Sequence, residues 1–214
     1  MVNQLDAAHV RHMVLRTADA IIAAEQMLSQ ADRDLGDGDH GLGMKRGMEA
    51  VKAKLADAAP ATPEEVFVTT GTAMMSSMGG ASGALFGTIF RTGGKALGGR
   101  GDFDAEGLAL FLEAALEGVM KRGGAKPGDK TMIDAIAPAA TSARASASLP
   151  LDASLAAVAA AAEAGKDASK AMIAQFGRAK TLGAACVGFP DAGALSITII
   201  LATFRDYAVE SAVG

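Results

Sequence analysis

Apolar residues recur at helical spacing through nearly all of this chain, and that periodicity leaves little room for anything but helices. Between residues 5 and 29, Val10, Met13, Val14, Ala18, Ile21, Ile22, Ala24 and Leu28 fall on one face. A second helix is expected from about His40–Gly43 to Leu55. A third opens with Thr62 as N-cap, Pro63 at the first helical position and Glu65 in the capping-box place. The glycine-rich stretch 81–97 reads as a fourth, with Ser82 as N-cap. A fifth starts near Asp104 and is stopped by Gly123 and Gly124. Residues 131–147, 152–175 (capped near Asp152) and 194–213 complete a set of eight. "SITIIL" at 196–201 has β-propensity but lies in a stretch too long for a strand. No hairpin signal, strand alternation or repeat is visible. The expectation is one all-α domain over residues 1–214.

The same composition that favours helices narrows the function classes. Only 4% of residues are aromatic, and Ala, Leu and Met carry much of the apolar content. A net charge of −4 with no cluster of Lys and Arg argues against nucleic acid as a partner. The single cysteine, Cys186, cannot form an internal disulfide, which fits a reducing compartment. The charged N-terminal stretch lacks the uninterrupted apolar run of a signal peptide, and no apolar run is read as a membrane span. A cytoplasmic protein is expected.

If the helices alternate in direction, alternate loops fall at one end. The loops at 30–42, 78–81, 122–130 and 176–191 would share a rim, and they hold most of the loop Asp, Gly, Lys and Arg. The first contains the densest signal: "DRDLGDGDHG" gathers Asp32, Asp34, Asp37 and Asp39 just before His40. A solvated acidic loop is the plain reading. An EF-hand counted from Asp32 fails, because its fifth, sixth and twelfth positions would be Gly36, Asp37 and Gly43. Gly36, Gly38 and Gly41 spell GxGxxG, but they follow a helix, and the carboxylates would repel a pyrophosphate. Neither "GKA" at Lys95 nor "DKT" at Lys130 fits a Walker loop. Divalent cations are the remaining way to make crowded carboxylates tolerable, and Mg²⁺ combines one or two carboxylates with waters and substrate phosphates. The N-terminus of the next helix, and that following "GGASG" at 79–83, would offer free amides to an anion.

Four segments in this order resemble the nucleotide-binding L subunit of the dihydroxyacetone kinases. They are Asp32 with Asp37, Asp39 and His40; Gly79–Gly83; "PGDKTMIDA" at 127–135; and "GRA" at 177–179 followed by "DAGA" at 191–194. The resemblance implies a barrel of eight antiparallel up-and-down helices with ADP or ATP at one rim, held through two Mg²⁺ ions. It implies Asp32, Asp37 and Asp39 as metal ligands, with Asp34 outside the set. It assigns phosphate contacts to the amides of His40, Gly41, Leu42 and Gly43, and to Ala81 and Ser82. Gly123 and Met132 would flank the base or ribose, Arg178 would bring a cation to the phosphates, and Asp191, Ala192 and Gly193 would close the pocket. The implied activity is phosphoryl transfer, carried by Asp32, Asp37, Asp39 and Arg178, to a short-chain ketose held on a separate substrate-binding subunit. The donor is either ATP or a phosphocarrier protein that recharges bound ADP, and a homodimer is left open. A regulatory partner without turnover and a fatty-acid-kinase-like nucleotide domain are the alternatives. His9 and His12, on the first helix, are read as surface or packing residues.

Three departures stand out. The family usually has asparagine where Gly43 stands, "SYLGER" where residues 180–185 read "KTLGAA", and proline at Ala192. The first removes a side-chain contact, and the second replaces a Glu–Arg pair by Ala184 and Ala185.

Overall fold

A computed structural model describes residues 1–211; the last two positions of the helix expected over 194–213 lie outside the described residues. Nine α-helices are present among the described residues: α1 Ala7–Ala23, α2 Glu25–Arg33, α3 His40–Ala56, α4 Pro63–Ser77, α5 Gly80–Ala96, α6 Ala105–Gly123, α7 Ile133–Ala145, α8 Leu151–Ser169 and α9 Ala192–Ser211. The all-α expectation holds. Apart from the short α2, each helix packs on its neighbour in the chain, with α3 against α1, and α9 packs on both α8 and α1. The order of neighbours therefore closes on itself. One continuous apolar core runs from Leu5 to Ala208. Phe67 of α4 lies within 4.6–6.4 Å, centroid to centroid, of Phe90, Phe103, Phe111 and Phe204.

Close approach of helices depends on missing side chains. A Cβ on Gly71 of α4 would sit 2.5 Å from the Gly87 carbonyl oxygen, and one on Gly87 of α5 would sit 2.7 Å from that of Gly71. Backbone thus meets backbone at this crossing, which explains why α5 is glycine-rich.

Several expectations are corrected. The first expected helix is two, because the chain leaves helical geometry at Ala24 (φ −83°, ψ 3°). No Gly or Pro marks the break, and α2 packs against α3 instead of continuing along α1. A two-stranded antiparallel ribbon, β1 Gln4–Asp6 with β2 Asp102–Asp104, pairs Leu5 with Phe103. Three residues per strand are too few to show alternation. Each strand ends in the N-cap of the following helix: Asp6 accepts the His9 amide and Asp104 the Gly107 amide. Asp152 lies in the first turn of α8, whose cap position is Pro150. Helix α8 ends at Ser169, six residues before the expected end. Helix α9 has the length and apolarity of a membrane span, contrary to the reading of the sequence, yet half of its apolar window is buried inside the protein.

Candidate nucleotide and metal site

The acidic loop begins in the last turn of α2 and ends at the first residue of α3. One carboxylate oxygen each from Asp32, Asp37 and Asp39 lies within 4.8 Å of the others. The backbone sets this up. The amide of His40 donates to Asp32 Oδ2 at 3.1 Å. Asp39 occupies the cap position of α3 but makes no capping bond, so its carboxylate is not consumed by the helix. Asp34 is held apart, accepting a hydrogen bond from Gln30 Nε2 at 2.9 Å. The Arg178 guanidinium crosses from the far rim to Asp37 Oδ2 at 2.7 Å.

His40 anchors the start of α3. Its ring is buried, packs 5.8 Å from Phe86, and its Nε2 lies 2.8 Å from Ser196 Oγ. Burial lowers its pKa, only partly opposed by Asp32 and Asp39, so the ring is neutral at pH 7.

The trio opens on a cavity of ≈ 950 Å³. His40, Gly43, Ala81, Ser82, Gly123, Met132, Arg178 and Asp191–Gly193 all line it. Two expected residues do not. Leu42 is 54% exposed and outside the lining. Gly41 is a packing glycine: a Cβ there would lie 2.2 Å from the Glu25 carbonyl oxygen and 2.4 Å from Ser29 Oγ, where α3 rests on α2. Gly43, by contrast, has open space where a Cβ would be, so nothing else fills the place of the missing asparagine.

The cap of α5 is Gly79, not Ser82. Gly79 and Gly80 take positive φ (73° and 61°), so right-handed helical dihedrals begin only after Gly80. Ala81 and Ser82 therefore fall in the first turn, where amides lack intrahelical acceptors and the helix dipole favours an anion. Also lining the cavity, Asp191 caps α9 by accepting the Ala194 amide at 2.8 Å. Burial pushes its carboxyl up to about 6, against the lowering effect of the Ala194 and Gly193 amides.

Among the cavity residues not assigned from the sequence are three cations, Arg46, Arg122 and Lys130. Arg46, one turn beyond Gly43, donates to the Met78 carbonyl at 3.2 Å. Lys130 is almost fully buried. The motif at 127–135 contains Lys130, but nothing in its text says that the lysine turns inward. The rim loop 176–191 also holds structure that its glycines hid: a 3₁₀ segment, Arg178–Cys186, kinked at Gly183.

An all-helical fold whose loops gather three carboxylates and two helix N-termini around one cavity defines a class of metal- and anion-binding helical domain. The chain belongs to the DAK2 domain family, which matches residues 34–206. It is 40% identical over 176 residues to the PEP-dependent dihydroxyacetone kinase 1 ADP-binding subunit DhaL of Listeria innocua, covering 82% of this chain and 84% of that one. It is 35% identical over 199 residues to the corresponding PEP-dependent ADP-binding subunit of Escherichia coli, covering 92% and 95%. A D-erythrulose kinase of Mycolicibacterium smegmatis is 34% identical over 202 residues, but this chain spans only 35% of it. The crystal structure of the C. freundii dihydroxyacetone kinase with AMP-PNP and Mg²⁺ superposes with a TM-score of 0.71 at 25% identity, over 96% of this chain and 35% of that one.

Proposed function

We propose that this chain is the Mg²⁺–nucleotide-binding subunit of a short-chain ketose kinase, a phosphotransferase that acts with a separate ketose-binding subunit. The observation that carries this is the Asp32–Asp37–Asp39 trio on the wall of a nucleotide-sized cavity. The donor set fits Mg²⁺: three hard carboxylate oxygens, with no sulfur or imidazole among them. Asp32, Asp37 and Asp39 would hold two ions, which when bound neutralise charge on the polyphosphate. The chain's own part is positioning. The N-terminal amides of α3 and α5 face the phosphates, Arg178 supplies a mobile cation, and Gly123, Met132 and Asp191–Gly193 enclose the nucleoside. Asp37 holds Arg178 through one carboxylate oxygen, and transfer of that guanidinium to the phosphates leaves both oxygens to the metal.

The relatives covered almost end to end are named PEP-dependent and ADP-binding, which favours ADP as a retained cofactor recharged by a phosphocarrier protein. A base for the sugar hydroxyl is better sought on the partner, since His40, the cavity's imidazole, is buried and engaged by Ser196. Exposed Ile173, Phe176, Leu182, Val187 and Phe189 all belong to the segment between α8 and α9, of which Phe176 lines the cavity, and this apolar surface suits a docking partner. We assign the protein to the cytoplasm and read the chain as one domain, in keeping with its free buried cysteine and its continuous core.

The experiment is a phosphoryl-transfer assay with triose and tetrose ketoses, with and without a cognate ketose-binding subunit, paired with Mg-ADP titration calorimetry. The chain alone binds Mg-ADP and phosphorylates no free ketose. Asp37→Ala and Asp39→Ala lose binding by at least about a hundredfold, no less than the loss of a residue that merely supports a metal ligand, while Asp34→Ala changes it only mildly. Equal affinities across the three variants would remove the trio from the site.

A further inference from the structure

Lys130 has no part in the scheme above, yet both its backbone and its ammonium are tightly held. It is 2% exposed, and among the described residues it is the single non-glycine with positive φ (60°). A side chain with a Cβ adopts that conformation at a cost, and only where surrounding contacts dictate it. Asp134 provides those contacts by accepting the amides of Gly128 at 2.6 Å and Thr131 at 2.8 Å. The turn drives the lysine inward, where Nζ donates to the carbonyl oxygens of Ser169 and Phe189, both at 2.6 Å. Burial lowers its pKa, with Cys186, Asp191 and Asp134 opposing that shift.

The two acceptors lie at opposite ends of one excursion. Helix α8 stops at Ser169, whose carbonyl is taken by Lys130, and the chain returns through Phe189 to enter α9. Neighbouring bonds knit the same ends together. The Gln175 amide donates to the Asp129 carbonyl at 3.0 Å and the Gly188 amide to the Lys170 carbonyl at 2.8 Å. The Asp191 amide donates to Ser169 Oγ at 3.2 Å. Between these ties the excursion has little core of its own: Ala174 and Cys186, with Leu35 and Ala179, form a small separate cluster. Its place is therefore set by its ends. It carries Arg178, which reaches Asp37, and it delivers Asp191 to the cavity.

We infer that Lys130 is a positioning residue: its ammonium clasps both ends of the 170–191 excursion and so sets Arg178 over the acidic trio and Asp191 at the nucleoside wall. This rests on the reading of the cavity as a metal–nucleotide site. A lysine that merely filled space would be replaceable by methionine without consequence for Arg178.

The test is a double-mutant cycle of Lys130→Met and Arg178→Ala, read by Mg-ADP calorimetry. Lys130→Met keeps the length of the side chain and removes the charge and the donors. It weakens Mg-ADP roughly tenfold to a hundredfold, the scale of hydrogen bonds to a charged group. The Arg178→Ala loss then shrinks in the Lys130→Met background, because Arg178 is already misplaced. Strictly additive losses, or wild-type affinity for Lys130→Met, overturn the inference. Hydrogen exchange on the nucleotide-free wild-type protein decides the matter without any variant, should Lys130→Met fail to fold. Protected Gln175, Gly188 and Asp191 amides are expected, and exchange at the rate of an open chain means that no clasp exists. A wild-type protein that shows this protection but binds no Mg-ADP would refute the nucleotide reading and leave the clasp standing.

Discussion

At the scale of single residues, the trio and Asp191 show how local surroundings separate chemically identical groups. Asp32, Asp37 and Asp39 converge, Asp34 is held by Gln30, and Asp191 lines the same cavity from the start of α9. The carboxyl of Asp191, raised to about 6 from an ordinary 3.8, makes stability depend on pH in a direction opposite to that of a salt-bridged aspartate. Between these two values the folded protein keeps a proton that the unfolded chain has released. Stability from this group is therefore highest below the lower value, falls as pH rises through the window, and is constant above it. The full shift corresponds to about 3 kcal/mol, and the partial solvent access of the side chain reduces it. Asp191→Asn keeps a side-chain oxygen for the Ala194 amide and removes the titration. Denaturant unfolding from pH 4 to 6.5 should show wild type losing stability relative to Asp191→Asn, with the two curves parallel above that range. Curves that stay parallel throughout would mean that the carboxyl is not perturbed.

At the scale of elements, the break between α1 and α2 decides where the site stands. It puts α2 beneath the first turn of α3, with Gly41 as the point of contact. The family pattern places both Gly41 and Gly43 at the phosphates, but their surroundings differ completely. Gly41→Ala forces backbone against backbone, and overpacking of this kind destabilises by ~1–3 kcal/mol. Gly43→Asn enters open space and should move stability by no more than ~0.5 kcal/mol, while supplying the contact usual in the family. Thermal unfolding of both variants, with Mg-ADP titration of Gly43→Asn, checks this; a Gly41→Ala protein as stable as wild type would contradict the packing role. Much at this scale was legible in the sequence. Long apolar periodicity marked the helices, and Thr62 and Asp104 marked two caps, because those signals are local. The Ala24 break, the short ribbon and the end of α8 were not, because tertiary contacts cause them. At the end of α8 the Ser169 carbonyl accepts from both the Lys130 ammonium and the Met172 amide. The site followed the same division. The three aspartates declared themselves by crowding and by resemblance, whereas the inward turn of Lys130 and the packing of Gly41 against α2 depend on tertiary contacts that the sequence does not display.

At the scale of the whole molecule, the cavity is built by loops from α2–α3, α4–α5, α6–α7 and α8–α9 at once. Anything that fills it bridges segments from residue 32 to residue 193, so ligand binding is coupled to global stability and not to one loop alone. A ligand that binds only the folded state adds RT ln(1 + [L]/Kd), about 2.7 kcal/mol at a hundredfold excess over Kd. For a chain of this size that is a rise in Tm of roughly 5–10 °C. The acidic trio makes the effect conditional on metal. Without a divalent cation, the carboxylates of Asp32, Asp37 and Asp39 face the polyphosphate as like charges, with Arg178 already paired to Asp37. Mg-ADP should therefore raise Tm by that amount, ADP with EDTA should leave it unchanged, and Mg²⁺ alone should have a small effect. Arg178→Ala makes the comparison sharper. Losing the guanidinium removes a phosphate contact but also frees Asp37, so the shift with Mg²⁺ alone should grow while the shift with Mg-ADP shrinks. An equal rise with ADP in the presence and absence of EDTA would place the nucleotide somewhere other than beside the acidic loop.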